Sequence, residues 1–416
     1  MKKTAVVLLI LLVTLSVTGC SKKESAAGGS ASGDQRTDIT LWLGNWWEEK
    51  APGMIADFNA ANPKWNLKID LLPIAGYFDN AAVAILSGSP PDVFDLVSTN
   101  LPSFANRNLL TDLTDSVGSK LNGDDFIKAI WDASHYNGRL YGMPSRGSGI
   151  AYYYNKDLFD KAGVPYPKEN WTHLDMLDAA KKITIPGVQY GIGIAADPSD
   201  ISNVFNSFSP FLWSLKGDFL SADEKKCLMD TPESIAGITF WTEFYTKWHV
   251  APEGSVNFTT ARDLVPLFDQ GKVALIPYGI SGIDIFSKNA DLRWGVAQSP
   301  NGELNSGGWM LVVPTTAAHP DGGADFCLWY AKPENQYKHA SVEPSVKAAW
   351  DMGPPWNDPN RKAYMTAASI GRPGIMTPAW PDALKIIVTE LQNVLTGRKT
   401  PTQAGQDMVR QIDPLL

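Results

Sequence analysis

The chain has 416 residues, 44% of them hydrophobic and 19% charged, with a formal net charge of −8. That balance is globular and bounds roughly two domains, and the acidic total argues against a nucleic-acid partner. Fifteen Trp, 13 Tyr and 16 Phe suggest an aromatic-lined surface in addition to an aromatic core.

The first element is a leader. Lys2 and Lys3 precede an apolar run from Ala5 to Val17, and Val17-Thr18-Gly19-Cys20 closes it. A charged start, a short apolar segment and a small-residue processing site describe a signal peptide over residues 1–19. The run falls short of the roughly 20 residues that a spanning helix needs. The VTGC motif resembles a lipobox, in which Cys20 is lipidated and becomes the mature N-terminus. Residues 20–37, rich in Ser, Gly and Ala without apolar periodicity, are then a lipid-anchored flexible tether. Cys227 and Cys327 remain. Export permits a disulfide between them, and two buried thiols account for them equally well.

A strand is expected at Ile39 to Leu43, followed by Gly44-Asn45-Trp46-Trp47-Glu48. The next helix has Pro52 in its first turn and stops at Asn62-Pro63. A strand from Asn66 to Leu72, a helix around Asp79 to Leu86 and a strand from Asp92 to Val97 come next. This alternation predicts an α/β domain with a largely parallel sheet. Further on, helices are expected at Trp171 to Ile183, from Thr231-Pro232-Glu233 onward, and at Thr260 to Gln270 with Gly271 as its stop. Strands are expected at Tyr190 to Ala196 and Lys272 to Pro277, and a last helix spans Leu384 to Leu395 before Gly397.

The chemistry of known enzyme motifs is missing. GIGIAA at 191–196 matches a dinucleotide pattern but lies in a strand and runs into Asp197-Pro198. The five histidines, His135, His173, His249, His319 and His339, are scattered and predict no metal site. There is no nucleophile elbow and no P-loop. Glu48 and Glu49 are consecutive and cannot face each other across a glycosidic bond.

Four stretches carry a resemblance: SGSPPDVFDLVSTNLPSFANRNLLTDLTD at 87–115, NGRLYGMPSRGSGIAYYYNKDLFDKAGVPYPKENWTHLDMLDAAKKIT at 137–184, NSGGWMLVVP at 305–314, and GRPGIMTPAWPDALKIIVTELQNVLTGRKTPTQAG at 371–405. In this order they resemble the extracellular solute-binding proteins of family 1, sugar-binding components of bacterial ABC importers, similar in plan to maltose-binding protein. The resemblance implies a two-lobed periplasmic-binding-protein-like fold (type II), an α/β architecture whose lobes are joined by hinge segments around a ligand cleft. It places lobe 1 at 38–146 plus 292–335 and lobe 2 at 147–291 plus 336–416. It implies no cofactor, a saccharide ligand, ABC permease subunits as partners, a monomer, and a place outside the cytoplasm on the membrane that holds Cys20.

Ligands of such sheets sit beyond strand ends, so the resemblance points to the loops there. Asn45, Trp46, Trp47 and Glu48 offer ring faces for a pyranose and polar groups for its hydroxyls. One Trp is expected to be core and the other to face sugar, with Trp47 favoured as the sugar-facing ring. Ser98, Thr99 and Asn100 suit hydroxyl recognition or helix capping equally. Arg146 meets an acidic sugar or pairs across a hinge, and Ser148 stands where the family carries a ligand carboxylate. Asp197, Trp213, Tyr278 and Ser281 are the lobe 2 candidates. Gly308 lets a ligand approach the backbone, with Trp309 as a platform beside it, and Arg372 and Trp380 precede the last helix. The reading is a lipid-anchored receptor that captures an oligosaccharide by closure. A surface lipoprotein that cleaves polysaccharide is the alternative, and a receptor that signals without transport is a third.

Overall fold

The computed structural model describes residues 36–416 apart from Ile74, Ala75, Ser148, Pro373 and Met376. Two sheets are built from strands β1 (Thr37–Gly44), β2 (Trp65–Leu72), β3 (Val93–Val97), β4 (Met143–Gly147), β5 (Ala151–Asn155), β6 (Leu275–Tyr278), β7 (Trp294–Ala297) and β8 (Gly308–Val312). The helices that matter for the site are α1 (Ala51–Ala61), α2 (Tyr77–Leu86), α3 (Leu101–Asn106), α4 (Ile201–Ser214), α5 (Trp380–Leu395) and α6 (Pro401–Ile412).

In β1 the side chains of Ile39, Leu41 and Leu43 are almost wholly buried, as the period of two demands for one sheet face. β1 pairs parallel with β2 and β3, and α1 and α2 make the crossovers. β8 enters antiparallel between β3 and β4, giving the order β2-β1-β3-β8-β4. The sheet is therefore mixed, and the expected parallel arrangement holds for its first three strands. α1 and the helix Pro320–Tyr330 cover one face, while α2 and α3 cover the other.

The second sheet is antiparallel, with β5 between β6 and β7. Residues 190–196, expected as a strand, run extended beside it with one parallel bridge, Tyr190 to Val273. α4, α5, α6 and the helix Pro232–Thr246 pack into the largest core cluster on this side. α6 was not expected, although Thr400 and Gln403 form a capping box at its start and Pro401 suits its first turn. Gly397 takes φ +71°, which ends α5 as anticipated. Cys227 and Cys327 are buried free thiols.

Two of the expected lobe boundaries need correction. Residues Trp294–Ala297 pair with Tyr152–Asn155, so 292–297 belong with the second sheet and not with lobe 1. Gln336 Nε2 and Ser345 Oγ both donate to the Pro144 carbonyl, at 3.1 and 2.7 Å, and Val346 lies in the first lobe's core. The chain beyond 335 thus stays with the first sheet for another turn of helix and an extended segment. That segment runs beside β4, with an Arg146–Pro344 bridge and a 2.8 Å bond from Gly147 N–H to the Glu343 carbonyl. Strand ladders overrule any sequence-local division here.

Candidate ligand-binding site

The chain leaves β1 at Gly44 into a single 3₁₀ turn, Asn45–Trp47. Consecutive residues of such a turn point about 120° apart, so neighbouring rings separate. Trp47 turns inward to 1% exposure and meets the Tyr330 ring edge-on at 6.2 Å. Trp46 turns outward to 37% exposure, the only tryptophan among the described residues that is exposed. The outward ring is therefore Trp46, whereas the sequence favoured Trp47. Its ring folds back over Gly44 and packs at 5.4 Å against Trp309 on β8, which in turn sits 5.8 Å from Phe78.

Gly44 is needed for that arrangement. A Cβ there would lie 2.1 Å from the Trp46 ring. Gly44→Ala is expected to push the ring off Trp309 and weaken ligand binding about tenfold, ~1.4 kcal/mol, with the melting temperature little changed. Calorimetric titration beside a thermal melt checks this.

At the end of β3 another 3₁₀ turn, Ser98–Asn100, leads into α3. Ser98 is buried, and its hydroxyl accepts from the Gly308 N–H at 3.4 Å. Asn100 precedes α3 yet makes no side-chain cap, so its amide remains available. Across from these, α4 presents Ser202, Phe205 and Asn206 on one face, as i, i+3 and i+4 spacing requires. Asn305 Nδ2 donates to Asn206 Oδ1 at 3.0 Å, while Asn305 Oδ1 is buried without a hydrogen-bond partner.

These elements enclose a cavity of about 450 Å³, within the range of small-molecule sites. Phe78, Ser98–Asn100 and Gly307–Trp309 line it from the first lobe, and Ile201, Ser202, Phe205 and Asn206 of α4 with Trp380, Pro381 and Leu384 of α5 contribute from the second. Its walls are rings, hydroxyls, amides and aliphatic groups, and none of its lining residues carries an ionisable side chain. A larger hollow of about 630 Å³ beside Tyr245 and Leu395 is lined by the second lobe alone, so a ligand there would bridge nothing. Among the described residues no group of His, Cys, Asp and Glu is arranged to hold a metal.

The sequence profile described as bacterial extracellular solute-binding protein matches residues 44–337, more than half of the chain. The chain belongs to this family. It is the solute-binding component of an ABC importer and not an enzyme. Relatives span nearly the whole length. It is 25% identical to a maltooligosaccharide ABC transporter solute-binding lipoprotein of Streptococcus pneumoniae, covering 99% of this chain and 96% of that one. It is 22% identical to the sn-glycerol-3-phosphate-binding periplasmic protein UgpB of Shigella dysenteriae, covering 91% and 92%. The structure of the sugar-binding protein MalE from Xanthomonas citri superposes with a TM-score of 0.81 over 91% of this chain and 97% of that one, at 21% identity. The two-lobed fold is thus shared. Among the described residues no helix is long and apolar enough to cross a membrane.

The solute-binding protein brings together only part of the set of side chains that its sequence suggests. Trp309, Gly308, Ser98 and Asn100 line the cavity, and Trp46 stands at its rim beside Trp309. Trp380 borders the cavity but is 1% exposed beneath Phe205 and Phe219, so it supports the wall. Trp213 is core: 1% exposed, with Nε1 donating to Asp218 at 3.1 Å. Asp197 caps the turn Pro198–Asp200 by accepting from the Ser199 N–H and hydroxyl, which hold its carboxyl below the usual range. Arg372 is paired with Glu303 at 2.6 Å and lies over Trp213, away from the cavity. Tyr278 and Ser281 end β6 and begin a short helix without reaching it, and Asn45 and Glu48 are exposed outside it. Arg146 is 3% exposed and paired with Asp95 at 2.5 Å, so the ion pair and not an acidic sugar holds its charge. Ser148 and Cys20 lie outside the described residues.

Sequence reasoning missed Phe78, Ser202, Phe205, Asn206 and Asn305. The signal for three of them was present: Ser202, Phe205 and Asn206 share one stripe of a helix that opens soon after the expected Tyr190 to Ala196 strand. Polar residues recurring at helical spacing beside an apolar stripe mark a face turned to something other than core.

Proposed function

We propose that this protein captures an oligosaccharide in the cavity between its lobes, closes on it, and passes it to a membrane permease. The observation that carries the reading is the lining itself. The rings of Trp309 and Phe78, backed by the largely buried Phe205, line it together with the hydroxyls and amides of Ser202, Asn206, Asn100 and Asn305. Such walls suit a pyranose, whose C–H face packs on rings while its edge carries hydroxyls. Lining from both lobes supports closure, because a ligand that touches both favours the closed state by its differential affinity. The aromatic walls and the lack of ionisable lining favour a saccharide over a phosphate ester such as the one named for UgpB. The neutral amides leave room for several sugars, and the row of Trp46, Trp309 and Phe78 favours more than one ring. In the same reading the protein is a monomer, tethered outside the cytoplasm by lipid on Cys20.

The test is a thermal-shift panel of neutral oligosaccharides with sn-glycerol 3-phosphate as the contrasting ligand, followed by chromatography of the sugars. A stabilising neutral oligosaccharide recovered unchanged is expected. Stabilisation by sn-glycerol 3-phosphate alone, or conversion of the sugar, would overturn the reading.

A further inference from the structure

Beneath the Trp46–Trp309 wall lies a buried charged cluster that no ligand contact explains. Arg146 on β4 and Asp95 on β3 are 3% and 0% exposed, with Nη2 and Oδ2 2.5 Å apart. Ser145 Oγ also donates to Asp95, at 3.3 Å. The guanidinium carbon lies 4.2 Å from the Trp309 ring centre and 5.5 Å from those of Trp46 and Trp47. Three indoles thus surround one cation inside the distance at which ring faces attract it. Arg146 Nε is buried with no hydrogen-bond partner. Arg146 and Trp309 are direct partners in the β4–β8 ladder, and the register shifts just after Trp309. Bulges of this kind re-aim a side chain.

Burying an ion pair seldom adds stability over an apolar pair of similar size, so stability alone does not account for it. We propose that the Asp95–Arg146 pair is a positioning element of the ligand site, with the guanidinium fixing the angle between Trp46 and Trp309 and Asp95 cancelling its charge. Arg146 then acts through the rings and receives no anionic group of a ligand. A wall held at its binding angle before ligand arrives loses less on ordering. This inference rests on the saccharide reading above.

The test compares the full chain as wild type with Asp95→Leu/Arg146→Met and Arg146→Lys. The double variant removes both charges and keeps apolar volume, and Arg146→Lys keeps the charge while losing the planar fork. Each is melted, titrated with the best neutral oligosaccharide of the panel, and recorded by near-ultraviolet circular dichroism without ligand, with Trp46→Phe as reference for the Trp46–Trp309 signal. Melting temperatures near wild type are expected, together with affinities about tenfold weaker in the double variant and several-fold weaker in Arg146→Lys. The Trp46-dependent band is expected to shrink in both. Affinities within twofold of wild type would overturn the proposal. If the double variant does not fold, Arg146→Lys decides. If the wild type binds no saccharide, the functional reading fails on its own, and the positioning claim is settled by the ligand-free band: one unchanged by either substitution overturns it.

Discussion

Trp46→Ala is expected to weaken saccharide binding about thirtyfold, ~2 kcal/mol, and to leave the melting temperature almost unchanged. Truncating an aromatic anchor of a binding surface typically costs this much. The ring is exposed and touches Trp309 without entering the core, so the fold has little to lose. Trp47→Ala is expected to do the reverse. Its ring is 1% exposed and packs among Leu43, Met54 and Tyr330 in the first lobe's core. Removing a buried indole opens a cavity worth about 3–5 kcal/mol of stability, while the ligand meets the same wall. The pair of variants separates two adjacent residues by what each loses. Equal losses of affinity from both, or a stability loss from Trp46→Ala comparable to that of Trp47→Ala, would contradict the assignment. Isothermal titration and urea unfolding supply the two readouts.

Glu343→Gln is expected to stabilise the protein by about 3 kcal/mol at pH 8 and by almost nothing at pH 4.5. Glu343 lies in the extended segment beside β4, and one carboxylate oxygen accepts from the Gly149 N–H at 3.3 Å. Burial pushes its carboxyl from the ordinary 4.5 up to about 7, with Arg146 and Arg361 only partly offsetting this. The phenols of Tyr153 and Tyr364 are packed into the same region, and both stay protonated well above neutral pH. The sign follows from proton counting. Between about pH 4.5 and 7 the folded chain holds a proton that the unfolded chain has released, so stability falls as pH rises through that window. Above it the folded chain bears the full cost of a buried carboxylate. Glutamine keeps the hydrogen bond to Gly149 and carries no charge, so its advantage grows across the same window. Urea unfolding at pH 4.5, 6 and 8 measures it, and a stability difference that does not change with pH would contradict the assignment of a raised carboxyl to Glu343.

The first third of the chain was legible because its signals are local. Alternation in Ile39 to Leu43, Pro52 in the first turn of α1 and the Gly88–Pro91 break each fix an element within a residue or two. The lobe boundaries were not, since they depend on which strands pair. Nothing in WGVA itself says that Trp294 lies opposite Asn155. The site was half legible for a related reason. Residues after a strand serve as ligand contacts, caps or core with the same letters. Asn100 makes no cap and lines the cavity, Asp197 caps, and Trp213 is buried. The twin tryptophans show the limit most clearly: a 3₁₀ turn decides which ring faces out, and its phase is set by the strand it leaves.

The most direct test of the central claim is a crystal structure of the protein grown with the best oligosaccharide of the panel. The account predicts sugar in the cavity, a ring against Trp309 and hydroxyls within hydrogen-bond distance of Asn305 on one side and Asn206 or Ser202 on the other. Sugar bound outside that cavity, such as in the hollow beside Tyr245, or touching one lobe alone, would contradict it.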